Sequence, residues 1–316
     1  MDAAAIADRF NLGARPALSD GPVARGKQGA VWRLTTVDGR WAVKVPFRHE
    51  DEDALVPAAA FQEAAAAAGV PAPRIRRTTD GDLFAVVDET RLRVYEWVDL
   101  GDPDPLLDPE LVGAAVAATH RVPGAEPAAP FTEPDRWYLD PVGAQRWDEL
   151  ITELAAADAP FAADLAALRD ELVALESWLT PPAAPRACHR DLMADNVLPT
   201  AAGGVCVIDW ENSGPADPAQ ELAVVLFEFG RTDPGRARAL VAAYEDAGGP
   251  ARLSGRGDFS MLIAQLGHIT ELSAADWLRP NDRSPSRPHA GAWIREALDD
   301  PHTRERLDAL LEAISR

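Results

Sequence analysis

Cysteine is nearly absent: Cys188 and Cys206 are the only two in 316 residues. One pair supplies no disulfide framework, and neither position has metal-ligand spacing. Both are expected as small buried apolar residues in a reducing compartment. Basic charge is also short. The chain has 31 Lys and Arg against 51 Asp and Glu, a formal charge of −20. That balance argues against nucleic acid as a partner, since its phosphates would be repelled. It is compatible with a cationic ligand, although an acidic composition with solvated faces accounts for most of it. No apolar run is long enough to span a bilayer, and MDAAAIADRFNLG has no basic segment ahead of an apolar one. The expectation is a soluble, cytoplasmic protein without a membrane partner.

Apolar material is plentiful, at 47% of the residues, enough for a full core and for two sub-domains sharing a cleft. The stretch CHRDLMADNVLPTAAGGVCVIDWE, Cys188 to Glu211, organises the rest. Val197-Leu198 and Val205-Cys206-Val207-Ile208 are short β-branched runs around Gly203-Gly204, which predicts a tight hairpin. The hairpin brings Asn196 close to Asp209. The spacing from Asp191 to Asn196, with Asp209 after it, is that of a phosphoryl-transfer loop. Asp191 can accept the proton of an attacking hydroxyl, while Asn196 and Asp209 offer hard oxygen ligands suited to Mg²⁺. A buried turn whose polar groups merely satisfy loop backbone is the alternative, and the full string with hairpin and Asp weighs against it.

On HRDLMADNVL and VIDWENSGPADPAQELA, with weaker matches upstream, the sequence resembles the aminoglycoside phosphotransferase family. These are small-molecule kinases with the protein-kinase-like fold. The resemblance implies ATP and Mg²⁺ as cofactors, Asp191 as catalytic base, and Asn196 and Asp209 as metal ligands. Trp210 departs from the Phe that follows this Asp in protein kinases.

Upstream, Ala3 to Phe10 reads as a short helix, and VARGKQGAVWRLTTVDGRWAVKV as three antiparallel strands. A loop at Gly26 and Gly29 lets backbone N–H groups approach phosphates, although ordinary hairpin glycines would look the same. Lys44, within A-V-K-V, resembles the strand lysine that pairs with the α- and β-phosphates. Residues 51–68 form an Ala-rich helix stopped by Gly69. The resemblance puts an acid on this helix as partner of Lys44; Glu63 is the candidate, with Gln62 and Glu52 as alternatives and a solvated Glu as the bland reading. Two more strands end at Glu96-Trp97-Val98. By resemblance this is the hinge, where main-chain groups of Glu96 and Val98 would bind adenine.

After Gly101 the pattern turns helical. Pro109 to His120 is a helix whose His120 caps or packs its end. A long loop to Pro141 carries Asp135, Trp137 and Tyr138, which either line an acceptor pocket or staple the loop to the helices. Asp217-Pro218 predicts a helix start with Asp as N-cap, and the resemblance adds that Asp217 ties down the catalytic loop. The short interval from Asp209 to Asp217 has no room for the activation loop and A-P-E element of a protein kinase, so the acceptor is expected to be a small molecule. Three further helical patterns follow, 234–248, 258–277 and 291–314. By resemblance their acids would hold acceptor amines; Glu271 and Asp276 are candidates, with Glu211 a further option.

These readings predict an α+β, two-lobed protein-kinase-like fold. Residues 1–98 form a nucleotide-binding lobe, an antiparallel sheet of about five strands with one helix. Residues 99–316 form a mainly helical lobe with the catalytic loop and acceptor site. The expected reaction moves the ATP γ-phosphoryl group to a hydroxyl of a small, amine-bearing acceptor such as an aminoglycoside. A metabolic kinase of an amino sugar or amino alcohol is the alternative within the class, and a nucleotide-binding pseudoenzyme the alternative outside it.

Overall fold

A computed structural model of the protein describes residues 1–26, 29–47, 52–123, 136–279 and 287–315. The first helix, α1 (Ala3–Phe10), begins where Asp2 accepts the amide of Ala4 and ends on Asn11 in the left-handed conformation. Its Ile6, Ala7 and Phe10 are buried against the sheet that follows. That sheet has β1 (Ala17–Leu18), β2 (Ala24–Arg25), β3 (Gly29–Thr35), β4 (Arg40–Pro46), β5 (Ile75–Arg76), β6 (Ala85–Val87) and β7 (Thr90–Glu96). All its pairings are antiparallel, in the order β1-β3-β4-β7-β5, with β2 on β3 and β6 on β7. Leu34, Trp41, Val43, Leu92 and Val94 alternate onto the face that α1 covers, as period-two patterning requires.

The sheet carries both expected helices, α1 and α2 (Glu52–Ala67). Moreover, α2 divides its apolar contacts between the lobes. Leu55 and Ala59 join Leu83 and Phe84, while Phe61 and Ala65 enter the core of the helical lobe. There Phe61 meets Trp210 edge-on at 5.5 Å.

The helical lobe contains α3 (Pro109–His120), α4 (Arg136–Leu139), α5 (Ala144–Ala156), α6 (Ala162–Glu176), α7 (Pro218–Gly230), α8 (Pro234–Asp246), α9 (Ser260–Leu278), α10 (Arg287–Asp299) and α11 (Arg304–Ile314). Helix α7 is its axis, buried along nearly its whole length. The last of the three expected helices is two: Pro301 breaks it, and the Thr303 hydroxyl restarts it by accepting the Arg306 amide at 3.3 Å. Four short strands carry the catalytic stretch. β8 (Arg186–Cys188) pairs with β11 (Gly214–Ala216), and β9 (Val197–Pro199) with β10 (Val205–Val207). The second pair is the hairpin expected from the sequence, with Gly203 at positive φ in its turn.

Candidate active site

Between β8 and β9 the chain loops through His189, Arg190 and Asp191. Asp191 is half-buried, and each of its carboxylate oxygens meets an amide donor. Asn212 Nδ2 lies 3.1 Å from Oδ2, and Gln265 Nε2 lies 3.4 Å from Oδ1. Asn196 Nδ2 donates to the Asp191 carbonyl at 2.9 Å. That bond fixes the span between the two residues and leaves the Asn196 amide oxygen available to a metal.

Arg190 and Asp209 both adopt positive φ, 66° and 63°, a conformation that costs a non-glycine residue about 1–3 kcal/mol unless its surroundings impose it. The surroundings of Arg190 do so. Its Nε donates to the Asn212 carbonyl at 2.6 Å, and its guanidinium lies 4.4 Å above the Tyr138 ring. A Cβ on Gly214 would sit 2.8 Å from that guanidinium, which explains a glycine there. From below, the Glu221 carboxylate accepts the amides of Arg190 and of His189, the latter at 3.3 Å, and the Nε2 of His120 at 2.7 Å. Burial opposes ionisation of Glu221, yet the His120 bond, the neighbouring His120 and His189 imidazoles and the Arg190 amide hold its carboxyl below the ordinary value. His189 lies below its ordinary value because it is buried. Its Nε2 faces the Ile208 carbonyl at 3.0 Å, so that nitrogen carries the proton and ties the catalytic loop to the strand before Asp209.

Lys44 projects from β4 into the same region. Its Nζ lies 2.5 Å from Asp209 Oδ1 and 2.6 Å from Glu211 Oε1, its ion pairs among the described residues. Burial works against the ammonium, but Glu211 and Asp209 together raise it above its ordinary value. Glu211 also accepts from the Arg93 guanidinium at 2.8 Å. Burial and the neighbouring Glu211 push Asp209 upward, while Lys44 and Arg93 overcome burial to pull Glu211 down. The arrangement offers one half-buried carboxylate held by two amides, an amide oxygen and a carboxylate of metal-binding type, and one buried cation. This donor set suits Mg²⁺, which takes oxygen ligands.

The sequence matches the model of the phosphotransferase enzyme family, APH, over residues 21–256. The chain belongs to that family. Among curated relatives, viomycin phosphotransferase of Streptomyces vinaceus is 30% identical over 167 residues, 51% of this chain and 57% of the relative. Homoserine kinase of Pseudomonas aeruginosa is 31% identical over 199 residues, 56% of this chain and 55% of the relative. The chain thus spans little more than half the length of either. A spectinomycin phosphotransferase solved with ADP and spectinomycin superposes with a TM-score of 0.65 at 14% identity, over 94% of this chain and 93% of that one. At that identity the likeness establishes the fold, which is the protein-kinase-like one.

In this APH-family chain, Asp191, Asn196, Asp209 and Lys44 come together as the sequence implied. Glu63 does not join them: it forks onto Arg77 at 2.7 and 3.0 Å, because it lies on the side of α2 turned toward β5. Gln62 bonds the Pro73 carbonyl. Glu211 leaves the expected acceptor wall for Lys44 and Arg93. Glu271 is engaged within the protein, by Arg146 at 2.7 Å and His268 at 3.2 Å, so it is not a free anion for an acceptor amine. Asp276 is half-buried on α9. Asp135, Lys27 and Gln28 lie outside the described residues. Gly26 and Gly29 close the β2–β3 turn, with the Gly26 amide on the Gly29 carbonyl at 3.0 Å, and a Cβ on Gly29 would lie 2.7 Å from the Val45 carbonyl. Glu96 closes β7, its amide bonded to the Arg74 carbonyl at 2.8 Å.

One role expected of another residue shifts. Asp217 caps α7 through Ala219 as expected, but its second oxygen accepts the amides of Ala183 and Ala184, ahead of β8. The loop itself is held by Glu221. His120 packs the end of α3, as expected, buried with its Nε2 2.7 Å from the Glu221 carboxylate. Trp137 stacks on His268 at 5.7 Å, and Tyr138 packs under Arg190, so both staple α4 to the site. Sequence reasoning missed Arg93, Asn212, Glu221 and Gln265. A signal existed for Gln265, a polar residue inside the apolar run MLIAQL, and for Glu221, an acid one turn into a helix and directly before the apolar run LAVVLF.

Proposed function

We propose that this protein transfers the γ-phosphoryl group of ATP to a hydroxyl of a small, amine-bearing acceptor, with residues 1–98 as the nucleotide lobe and 99–316 as the acceptor lobe. The observation that carries the reading is the convergence of Lys44, Asn196 and Asp209 beside an Asp191 carboxylate gripped by Asn212 and Gln265. Asp191 accepts the proton as the acceptor oxygen bonds to the γ-phosphorus and the bond to the β–γ bridging oxygen breaks. Lys44 pairs with the α- and β-phosphates. Asn196 and Asp209 would hold Mg²⁺, which supplies neutralisation of phosphate charge when bound. The loose transition state of phosphoryl transfer leaves most of the work to positioning and electrostatics, which suits a loop fixed from three sides.

The hinge groups proposed to meet adenine are the Val98 amide and the Glu96 carbonyl, at the end of β7. Asp276 is the proposed acid for an acceptor amine. Among the described residues no helix is long and apolar enough to cross a membrane, in keeping with a kinase that works in the cytoplasm where ATP is present. A second reading, a metabolic kinase of a small amine-bearing alcohol, is favoured by the homoserine kinase relative.

Mg²⁺-dependent ADP release, measured across aminoglycosides, amino sugars, choline-like alcohols and neutral sugars, tests both. Stimulation by one class names the acceptor. Asp191→Ala should abolish that stimulation while nucleotide binding persists, and an active Asp191→Ala enzyme would remove the mechanism. ADP binding without stimulation by any acceptor would favour a pseudoenzyme.

A further inference from the structure

Lys44 and Arg93 are direct register partners on β4 and β7, so their side chains leave the sheet on one face, Cβ atoms about 5 Å apart. Two cations at that separation repel unless an anion lies between them. The anion is Glu211, whose Oε1 alone lies 2.6 Å from Lys44 Nζ and 2.8 Å from the Arg93 guanidinium. The side chains are withdrawn from solvent, Arg93 being 3% and Glu211 10% exposed, so the interaction is little screened. Glu211 reaches this point because it follows Asp209 by two residues in a 3-10 turn, Trp210–Asn212, anchored by the burial of Trp210.

Helix α2 supplies no equivalent charge among its described side chains. The side it turns toward Glu211 bears Leu55, Ala58, Ala59 and Gln62, which line a cavity of about 10 Å³ with Arg93, Tyr95 and Trp210. Glu63 is spent on Arg77. Of the two acids on Lys44, Asp209 is the one assigned above to a metal. Once it is so engaged, Glu211 is the counter-charge that stays with the lysine.

We propose that Glu211 is the positioning residue of Lys44, held in place by Arg93, and that the lysine is thereby set for phosphate from the hairpin lobe. This rests on the nucleotide-site reading above. Glu211 acts on nucleotide through Lys44, without itself touching a metal.

The test is a double-mutant cycle read by calorimetric ADP titration, once with Mg²⁺ and once with chelator, needing no knowledge of the acceptor. Glu211→Gln is expected to weaken ADP about tenfold under both conditions, and Lys44→Met by at least as much. The double variant should be no weaker than Lys44→Met alone. Arg93→Lys, which keeps the charge but loses the guanidinium fork, should reproduce part of the Glu211→Gln loss. An effect of Glu211→Gln that adds in full to that of Lys44→Met would overturn the proposal. So would an effect seen only with Mg²⁺, which would make Glu211 a metal ligand. If Glu211→Gln melts early, Glu211→Asp repeats the cycle with the charge retained, and the same additivity decides. Wild-type protein that bound no ADP would instead overturn the nucleotide-site reading, and this inference with it.

Discussion

His120 Nε2 lies 2.7 Å from Glu221 Oε2, and both side chains are fully withdrawn from solvent beneath the catalytic loop. The other ring nitrogen meets the Tyr244 hydroxyl at 2.9 Å, and that hydroxyl accepts the Ala251 amide at 3.1 Å. One carboxylate on α7 therefore joins α3, α8 and the two peptide groups that precede Asp191.

Glu221→Ala removes this acceptor and strands an imidazole and two loop amides in the core. Breaking a buried pair from one side costs about 3–5 kcal/mol, so urea unfolding should show a loss of that order. Glu221→Gln keeps an oxygen for the amides and should lose less. Unfolding midpoints of Glu221→Ala indistinguishable from wild type would show that the contact carries no stability.

Glu63 gives the opposite expectation. Its pair with Arg77 is surface-placed, both side chains being more than a third exposed, and such pairs contribute about 0–1 kcal/mol. Glu63→Ala should leave ADP affinity within twofold of wild type and stability nearly unchanged. A tenfold loss of ADP affinity would restore Glu63 as partner of Lys44.

His302 should make stability depend on pH. It is buried just before α11, and burial lowers it from 6.5 to about 4, with Glu171 opposing. The unfolded chain binds this proton near its ordinary value, so between the two the unfolded state holds more protons. Stability is then full above about pH 6.5 and falls as pH drops toward 4, by roughly 3 kcal/mol in total. Of that total about 2 kcal/mol falls between pH 7.5 and 5, so in urea titrations at those two values His302→Gln should reduce the difference by that order. An unchanged difference would exclude the group.

The catalytic hairpin was legible because its signals are local: β-branched runs, a Gly-Gly turn and residues at fixed spacing specify Asp191, Asn196 and Asp209 without reference to distant chain. Lys44 was legible for the same reason. The acids and amides around them were not, because their roles are set by elements far apart in sequence. Glu63 and Glu211 look equally like solvated acids in isolation. What separates them is that the turn after Asp209 points inward at a register pair of cations, whereas α2 turns its acid out toward Arg77. Arg93 carried no signal of its own in the sequence, yet in the middle of β7 it is buried, 3% exposed. The expected single helix at 291–314 failed on Pro301, whose effect is local and could have been weighed.

The crossing of α3 over α8 carries a last expectation. A Cβ built on Gly113 would stand 2.3 Å from the Leu240 carbonyl oxygen and 3.0 Å from the Tyr244 amide. Both are backbone atoms of a regular helix, so no side-chain rotation relieves the clash and the helices must separate. In an exposed helix, Gly to Ala gains about 1 kcal/mol from propensity, whereas forced overpacking of a core costs about 1–3 kcal/mol. Backbone-to-backbone contact puts this site at the upper end, so Gly113→Ala should be destabilised on balance. Because α3 ends at His120, the separation should also loosen the His120–Glu221 pair, and hydrogen exchange at residues 186–191 should accelerate in the variant. Unchanged exchange there, alongside a lowered unfolding midpoint, would show that the helix crossing and the catalytic loop are mechanically independent.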